Sequence, residues 1–191
     1  MLNLYRIIEI LVSFQSLVVS TMIPVYIPLR YIDKSFNNIV MPITWQIPTV
    51  ILLTLIFEKK VVFRAFTIYL IVGLFIFPVF HQGGSIGYLL TPNFGYLLGI
   101  YPLIKIIDNL NKRNQIYIYP FLKKGFLAII AMHLIGIFYN FLQIIFYNQL
   151  NIFLYNLAKY SLSKIGYHIL MLVPLLLIIK PINYLKYKNN D

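Results

Sequence analysis

The chain has 191 residues, of which 60% are apolar and only 11% are charged. Soluble domains carry roughly 25% charged residues, so this composition excludes a soluble globular protein, because too few charges remain to cover a water-facing surface. One helical crossing of a membrane needs about 20 residues. The length therefore allows about six crossings with short loops, and we expect an all-α integral membrane protein with a single domain, residues 1–191.

The formal net charge is +11, from 16 Lys and Arg against five acids. These basic residues are spread over loop ends rather than gathered on one face, so we expect them to set topology and to contact membrane lipid, and we expect no nucleic acid partner. The chain has no Cys, which excludes disulfides, thiolate metal sites and a cysteine nucleophile.

Six apolar runs are candidate membrane spans. The first has Arg6 before it but no small-residue cleavage site after it, so we interpret it as a retained helix rather than a signal peptide. The fourth is short for a full crossing. The predicted spans are residues 7–29, 39–57, 61–80, 93–107, 123–147 and 162–182.

The distribution of basic residues over the loops predicts the orientation. Twelve of the 16 Lys and Arg lie at the N-terminus, in the 58–64 turn, in the 105–124 loop and in the tail. The other four lie on the opposite side, where residues 81–92 carry no charge. The positive-inside rule then predicts six transmembrane helices with both termini in the cytoplasm, in a multi-pass protein of the cell membrane.

A glycine-rich stretch, PVFHQGGSIGYLLTPNFGYLLG at residues 78–99, falls at a membrane boundary. Glycine allows the backbone to approach either a ligand or a neighbouring helix. Irregular backbone at this depth persists where protein or a water-filled cavity satisfies its polar groups. The residues alone leave two interpretations open: a wall of a ligand pocket, or an external loop with tight helix packing.

His133 lies inside the fifth predicted span, with Asn140 and Gln143 on roughly the same helix face. Such buried polar groups face the bundle interior, where they contact a ligand or a neighbouring helix. The three histidines are widely separated, without an HExxH pattern, and the five acids lie at loops and ends. We therefore predict neither a metal site nor catalytic residues, and we expect no enzyme.

The stretch 78–99 resembles the signature of the BioY family, the biotin-binding S components of energy-coupling-factor (ECF) transporters. That family carries Pro-Val-Phe, a glycine-rich stretch and then Pro-Thr-x-Gly-Tyr-Leu-x-Gly. Upstream, MPITWQIPTVILLTLIFEKK at 41–60 is similar to the family's Val-Pro-Val-Thr-Leu-Gln helix. Downstream, HLIGIFY at 133–139 is similar to a His-Leu-x-Gly-x-x-Tyr pattern in the fifth span.

The resemblance implies a chain that binds biotin in an outward-facing pocket, roofed by the 81–92 loop, and that catalyses nothing. Uptake would then need a transmembrane coupling protein and two ATPase subunits as partners. This chain has no GxxxxGK[ST] phosphate loop, so ATP hydrolysis would belong to another subunit. No cofactor is expected.

Biotin has a ureido ring, an apolar thioether ring and a carboxylate. Amide and hydroxyl side chains would serve the ureido group, glycine amides would approach the ligand, tyrosines would pack on its rings, and a basic group would hold the carboxylate. The predicted ligand-binding residues are Gln46, Gln82, Gly83, Gly84, Ser85, Tyr88, Asn93, Tyr96, His133, Lys164 and His168. Trp45 is a further ring-packing candidate or an interfacial anchor, and His81 a further partner for the carboxylate.

Two departures from the family pattern keep alternatives open. Asn93 replaces the usual Thr or Ser, and residues 165–170 lack the Asp and Lys with which many members contact the ligand. Lys164 is either the replacement or a topology-setting flank. The alternatives to biotin uptake are the same fold binding another small vitamin-like ligand, and a non-transporting membrane scaffold whose glycines only pack helices.

Overall fold

A computed structural model of the protein describes residues 4–30, 36–81, 83–111, 116–147 and 150–188. Most of these residues are helical, and a two-stranded antiparallel hairpin, with β1 at Pro24–Arg30 and β2 at Phe36–Thr44, joins the first two helices. The α-helices in the described ranges are α1 (Leu4–Met22), α2 (Gln46–Ile56), α3 (Lys59–Phe75), α4 (Pro92–Leu98), α5 (Ile100–Asn111), α6 (Ile118–Tyr147), α7 (Leu150–Asn156), α8 (Ser163–Leu170) and α9 (Leu172–Lys188).

Three helical stretches in the described ranges are long and apolar enough to cross a membrane: Leu4–Met22, Ile118–Ile144 and Leu150–Tyr184. The third stretch includes α7, a π-helical segment at Leu157–Leu162, α8 and most of α9. The predicted helical character is thereby confirmed for most of the described residues. The predicted spans 61–80, 123–147 and 162–182 fall mainly in α3, in α6, and in α8 with α9.

The hairpin is the main departure from the predicted all-α fold. The first predicted span, 7–29, extends past α1 through most of β1, and the second, 39–57, begins within β2. Pro24 and Pro28 lack an N–H and lie in β1. Each strand of a two-stranded sheet has an open edge, and proline is tolerated on such an edge, whereas inside a helix it removes a hydrogen bond. Apolar composition alone did not separate these strands from helix.

A small apolar cluster anchors the hairpin to the end of α8. Val25 of β1 packs there with Met41 and Ile43 of β2 and with Met171, and Trp45 lies against them. The strands pair from Pro24 with Thr44 outward, with a bulge next to Pro24. The hairpin is therefore fixed over one end of the helix bundle by its own buried side chains.

Glycines allow α4 and α5 to approach α6 closely. A β-carbon at Gly99, where α4 meets α5, would lie 2.5 Å from the carbonyl oxygen of Met132. One at Gly136 would lie 2.3 Å from the ring of Tyr96, and Gly95 is equally crowded by α6. The predicted fourth span, 93–107, is therefore two short helices, α4 and α5, joined at Gly99 and packed against α6.

Candidate ligand-binding site

A cavity of about 490 Å³ lies between the hairpin, α4 and α8. Its volume is within the range of roughly 300–1,000 Å³ typical of small-molecule pockets. One wall is Pro24 with residues 40–44 of β2, the second is α4 with the start of α5 and Met132, and the third is the π-helical segment with α8. The hairpin therefore encloses the cavity together with the 81–92 loop, because residues of both line it.

Six of the predicted ligand-binding residues line this cavity. They come from the start of α2, the turn before α4, α4 itself and α8, which the fold brings together from distant parts of the chain. They are Gln46, Tyr88, Asn93, Tyr96, Lys164 and His168. His81 also lines the cavity, whereas Trp45 packs beside the hairpin cluster and is not part of the lining.

Three predicted residues of the glycine-rich stretch do not line the cavity. A β-carbon at Gly84 would lie 2.6 Å from the carbonyl oxygen of Gly73, so this glycine allows the chain to fold back on the end of α3. Gly83 has a φ of +132°, a turn conformation that favours glycine. Ser85 is exposed. Gln82 lies outside the described residues.

The side chain of Gln46 is oriented by Tyr69 of α3. Gln46 Nε2 donates a hydrogen bond to Tyr69 Oη over 3.2 Å, and that hydroxyl lies 3.1 Å from Thr21 Oγ1. Tyr69 and Thr21 are fully buried. The amide of Gln46 is therefore held at the cavity wall by a hydrogen-bonded support that reaches α1.

Tyr88 lies in a 3₁₀ turn at Ile86–Leu90, where it packs against Phe80 at a ring separation of 4.7 Å. Its hydroxyl donates to the carbonyl oxygen of His81 over 3.3 Å. Burial raises the pKa of Tyr88 to about 12, although a hydrogen bond with Asn93 opposes the shift. The phenol is therefore neutral at physiological pH, and it presents the cavity with an aromatic ring and an uncharged hydroxyl.

His133 does not line the cavity and lies one layer behind it. The residue is 2% exposed. Its Nε2 lies 3.1 Å from Nδ1 of His168, and its Nδ1 lies 3.1 Å from the hydroxyl oxygen of Ser161. The geometry therefore corresponds to an interhelical hydrogen bond from α6 to α8, one of the two roles left open by the sequence, and His133 supports a histidine that lines the cavity.

Several lining residues were not predicted. Lys159, Tyr160 and Ser163 line the cavity beside Lys164, and residues 40–44 of β2 close it. In an α-helix, positions five residues apart point about 140° away from each other. The π-helical segment adds a residue to the turn, so Lys159 and Lys164 both reach the cavity. An α-helical reading of the sequence could not place both on one wall.

The lining is positively charged. Among the described residues that line the cavity are two lysines and no Asp or Glu. The ammonium nitrogen of Lys159 lies 5.4 Å from the ring centroid of Tyr160, and that of Lys164 lies 5.2 Å from the same ring. The aromatic ring attracts each of the two cations through its negative face. Such a pair without a carboxylate favours an anionic ligand, because a bound carboxylate supplies the missing countercharge.

Comparisons with known proteins agree with this description. A curated relative from Lysinibacillus sphaericus, a probable biotin transporter BioY, is 43% identical over 58 residues, and the match spans 30% of each chain. A crystal structure of the S-component for biotin from an ECF-type ABC transporter has the same fold, with a TM-score of 0.57 and 15% identity over 98% of this chain and 95% of that chain. The BioY family model matches residues 4–179. The chain therefore belongs to the BioY family.

Proposed function

We propose that this protein is the biotin-binding membrane subunit of an ATP-driven uptake transporter and is not an enzyme. The observation that carries the proposal is the cavity itself, whose described lining combines two ammonium groups, amide donors and aromatic rings and includes no carboxylate. The ligand suited to this lining is a small anion with a polar heterocycle and an apolar body. Biotin has those three parts, and membership of the BioY family supports it over other anions.

The walls of the cavity suggest where each part of biotin binds. Lys164, half-buried on α8, would hold the carboxylate, with Lys159 at the more exposed position. The amides of Gln46 and Asn93 would serve the ureido group, because each offers both a donor and an acceptor. The ring of Tyr96 would pack on the thioether ring, together with the apolar side chains of α4 and α6.

We also propose the topology and the partners of the subunit. Residues 1–191 would form one six-helix domain that crosses the cell membrane several times, with both termini cytoplasmic and with lipid around its apolar faces. Lys159 and Lys164 belong to the four basic residues predicted on the outer side, which agrees with a cavity that opens outward. A transmembrane coupling protein and two ATPase subunits would supply the energy, and nucleic acid is not expected as a partner.

Thermal unfolding of the purified protein in detergent, with and without biotin, tests this function. Biotin at about 1,000 times its Kd should stabilise the folded state by about 4 kcal/mol. Biotin methyl ester is the matched control, since it keeps both rings and removes the negative charge. Stabilisation by biotin and much less by the ester would support the proposal. Stabilisation by a different vitamin-like acid only would replace biotin as the ligand, and no stabilisation by any such acid would favour a scaffold.

A further inference from the structure

A chain of hydrogen bonds runs behind the cavity and connects two of the side chains that line it. Asn140 Nδ2 donates to Tyr96 Oη over 3.4 Å, and Tyr96 Oη lies 2.8 Å from Ser161 Oγ. Ser161 Oγ lies 3.1 Å from His133 Nδ1, and His133 Nε2 lies 3.1 Å from His168 Nδ1. Asn140, Ser161 and His133 are each 2% exposed, so no bulk water interrupts the relay.

Each hydroxyl and each neutral imidazole in this relay has one proton to donate along it, so the direction at one end sets the direction at the other. The amide nitrogen of Asn140 can only donate. Among the described residues the other hydrogen-bond partner of the Tyr96 hydroxyl is Ser161, so Tyr96 accepts from Asn140 and has its own proton for Ser161; the Ser161 hydroxyl then has its proton for His133 Nδ1. His133 then carries its proton on Nε2 and donates it to His168 Nδ1.

The orientation of the Asn140 amide is supported by what it leaves unpaired. In this orientation the carbonyl oxygen, Oδ1, is buried without a hydrogen-bond partner. A rotated amide would place that oxygen on Tyr96 and would bury the two N–H groups without a partner. Buried N–H donors without a partner are rarer than under-satisfied carbonyl oxygens, so the observed orientation is the less costly one.

We propose that Asn140 is a positioning residue that, through Tyr96, Ser161 and His133, holds His168 in the tautomer with its proton on Nε2. His168 Nδ1 accepts from His133, so its single proton lies on the other ring nitrogen. No described side chain hydrogen-bonds that nitrogen, and His168 lines the cavity. The cavity is thus given an N–H donor rather than a lone pair at this point of α8.

This assignment bears on ligand choice, and that part rests on the proposed function. The ureido oxygen and the carboxylate oxygens of biotin are all acceptors, so an N–H at His168 attracts them. In the opposite tautomer, His168 would present a lone pair to the cavity, which would repel these oxygens. A donor pre-oriented by a buried relay binds without ordering a mobile side chain, which lowers the entropic cost of binding.

Nitrogen NMR of protein labelled with ¹⁵N-histidine, in lipid nanodiscs and without ligand, reads the tautomer directly. The chain has three histidines, and the His168 signal is the one that is absent from the His168→Gln spectrum and retained in the His81→Gln spectrum. The wild-type protein should show His168 protonated on Nε2 and not on Nδ1. A His168 protonated on Nδ1 in the wild type would overturn the proposal.

Two variants test whether the relay sets this tautomer. Asn140→Asp replaces the obligate donor with an acceptor, which reverses every step and should move the His168 proton to Nδ1. Ser161→Ala removes the middle of the relay, and both tautomers should then be populated. Gln143→Glu is the matched control, since it places a carboxylate on the same helix at a residue whose amide donates to the carbonyl oxygen of Leu90 instead. An Nε2 proton retained in both relay variants would show that Asn140 has no positioning role.

Biotin titration of the same samples separates this inference from the function itself. Asn140→Asp should weaken biotin binding by about 10- to 100-fold, the effect of losing one buried hydrogen bond to a charged or polar ligand atom, and Gln143→Glu should not. A tautomer that switches as expected, in a wild-type protein that does not bind biotin, would overturn the proposed ligand and leave the relay intact. Normal biotin binding with an unchanged tautomer in both variants would overturn the relay and leave the proposed ligand intact.

Discussion

Lys164 is half-buried and lines the cavity. Lys159, which reaches the same cavity, is exposed to solvent. Water screens an exposed charge more strongly than a half-buried one, so contacts of the two lysines with the same carboxylate differ in strength. We therefore assign the larger share of carboxylate recognition to Lys164.

Replacing Lys164 with methionine tests that assignment, since Met keeps much of the aliphatic length and removes the charge. We expect Lys164→Met to weaken biotin binding by about 10- to 100-fold, the effect of losing one charge-assisted hydrogen bond. Isothermal titration with biotin and with its methyl ester measures this effect, and the ester should lose far less affinity. Lys123→Met, an exposed lysine of α6 away from the cavity, is the control. Equal losses for acid and ester would mean that Lys164 acts through packing.

Glycines allow α4 and α5 to pack closely against α6. At Gly99 the neighbouring atoms belong to the backbone of Met132, which cannot move aside as a flexible side chain can. Gly166 of α8, in contrast, has no atom within 4 Å of the position that a β-carbon would occupy. Gly99 is therefore needed for close helix packing, whereas the packing around Gly166 does not require a glycine.

Alanine substitutions at these two glycines should have opposite effects on the free energy of unfolding. Gly99→Ala should lower it by about 1–3 kcal/mol, because an added methyl group overlaps the Met132 backbone. Gly166→Ala should leave it unchanged or raise it by up to about 1 kcal/mol, because alanine is the better helix former and the space is open. Thermal unfolding in detergent measures both variants. A neutral Gly99→Ala would contradict the close approach of α4 and α5 to α6.

At the scale of the whole molecule, the distribution of basic residues predicts the orientation. Twelve of the 16 Lys and Arg lie in the segments predicted to be cytoplasmic. Ser85, in the uncharged segment, and Tyr117, in the basic 105–124 loop, are both exposed and lie on opposite sides in the proposed topology. The positive-inside rule then predicts that Ser85 faces the outside of the cell and Tyr117 faces the cytoplasm.

Labelling of single introduced cysteines tests the orientation, since the chain has no Cys of its own that would react. Ser85→Cys should react with a membrane-impermeant maleimide in intact cells, and Tyr117→Cys should react only after the cells are permeabilised. The unsubstituted chain, which cannot be labelled, is the control. The reverse pattern would invert the topology, and labelling of both from outside would contradict a membrane crossing by the predicted span 93–107.

The membrane class and the helical character of the protein could be predicted from composition and the length of apolar runs, because both depend on how many apolar residues follow one another. The family could be predicted from the stretch at 78–99, a local pattern that needs no knowledge of contacts. The same pattern suggested that Gly84 approaches the ligand, whereas in the structure Gly84 packs against Gly73. A glycine indicates a close approach but does not indicate to what.

Contacts between residues far apart in the chain depend on packing and could not be predicted from local sequence. The hairpin over the cavity replaced predicted helix, because its apolar side chains are buried by a cluster that includes Met171, more than 120 residues away. Lys159 joins Lys164 only through a π-helical turn, and His133 meets His168 only where α6 packs on α8. Local sequence determines which groups are present and, outside the hairpin, most of the helical segments. Packing determines which of those groups face one another across the cavity.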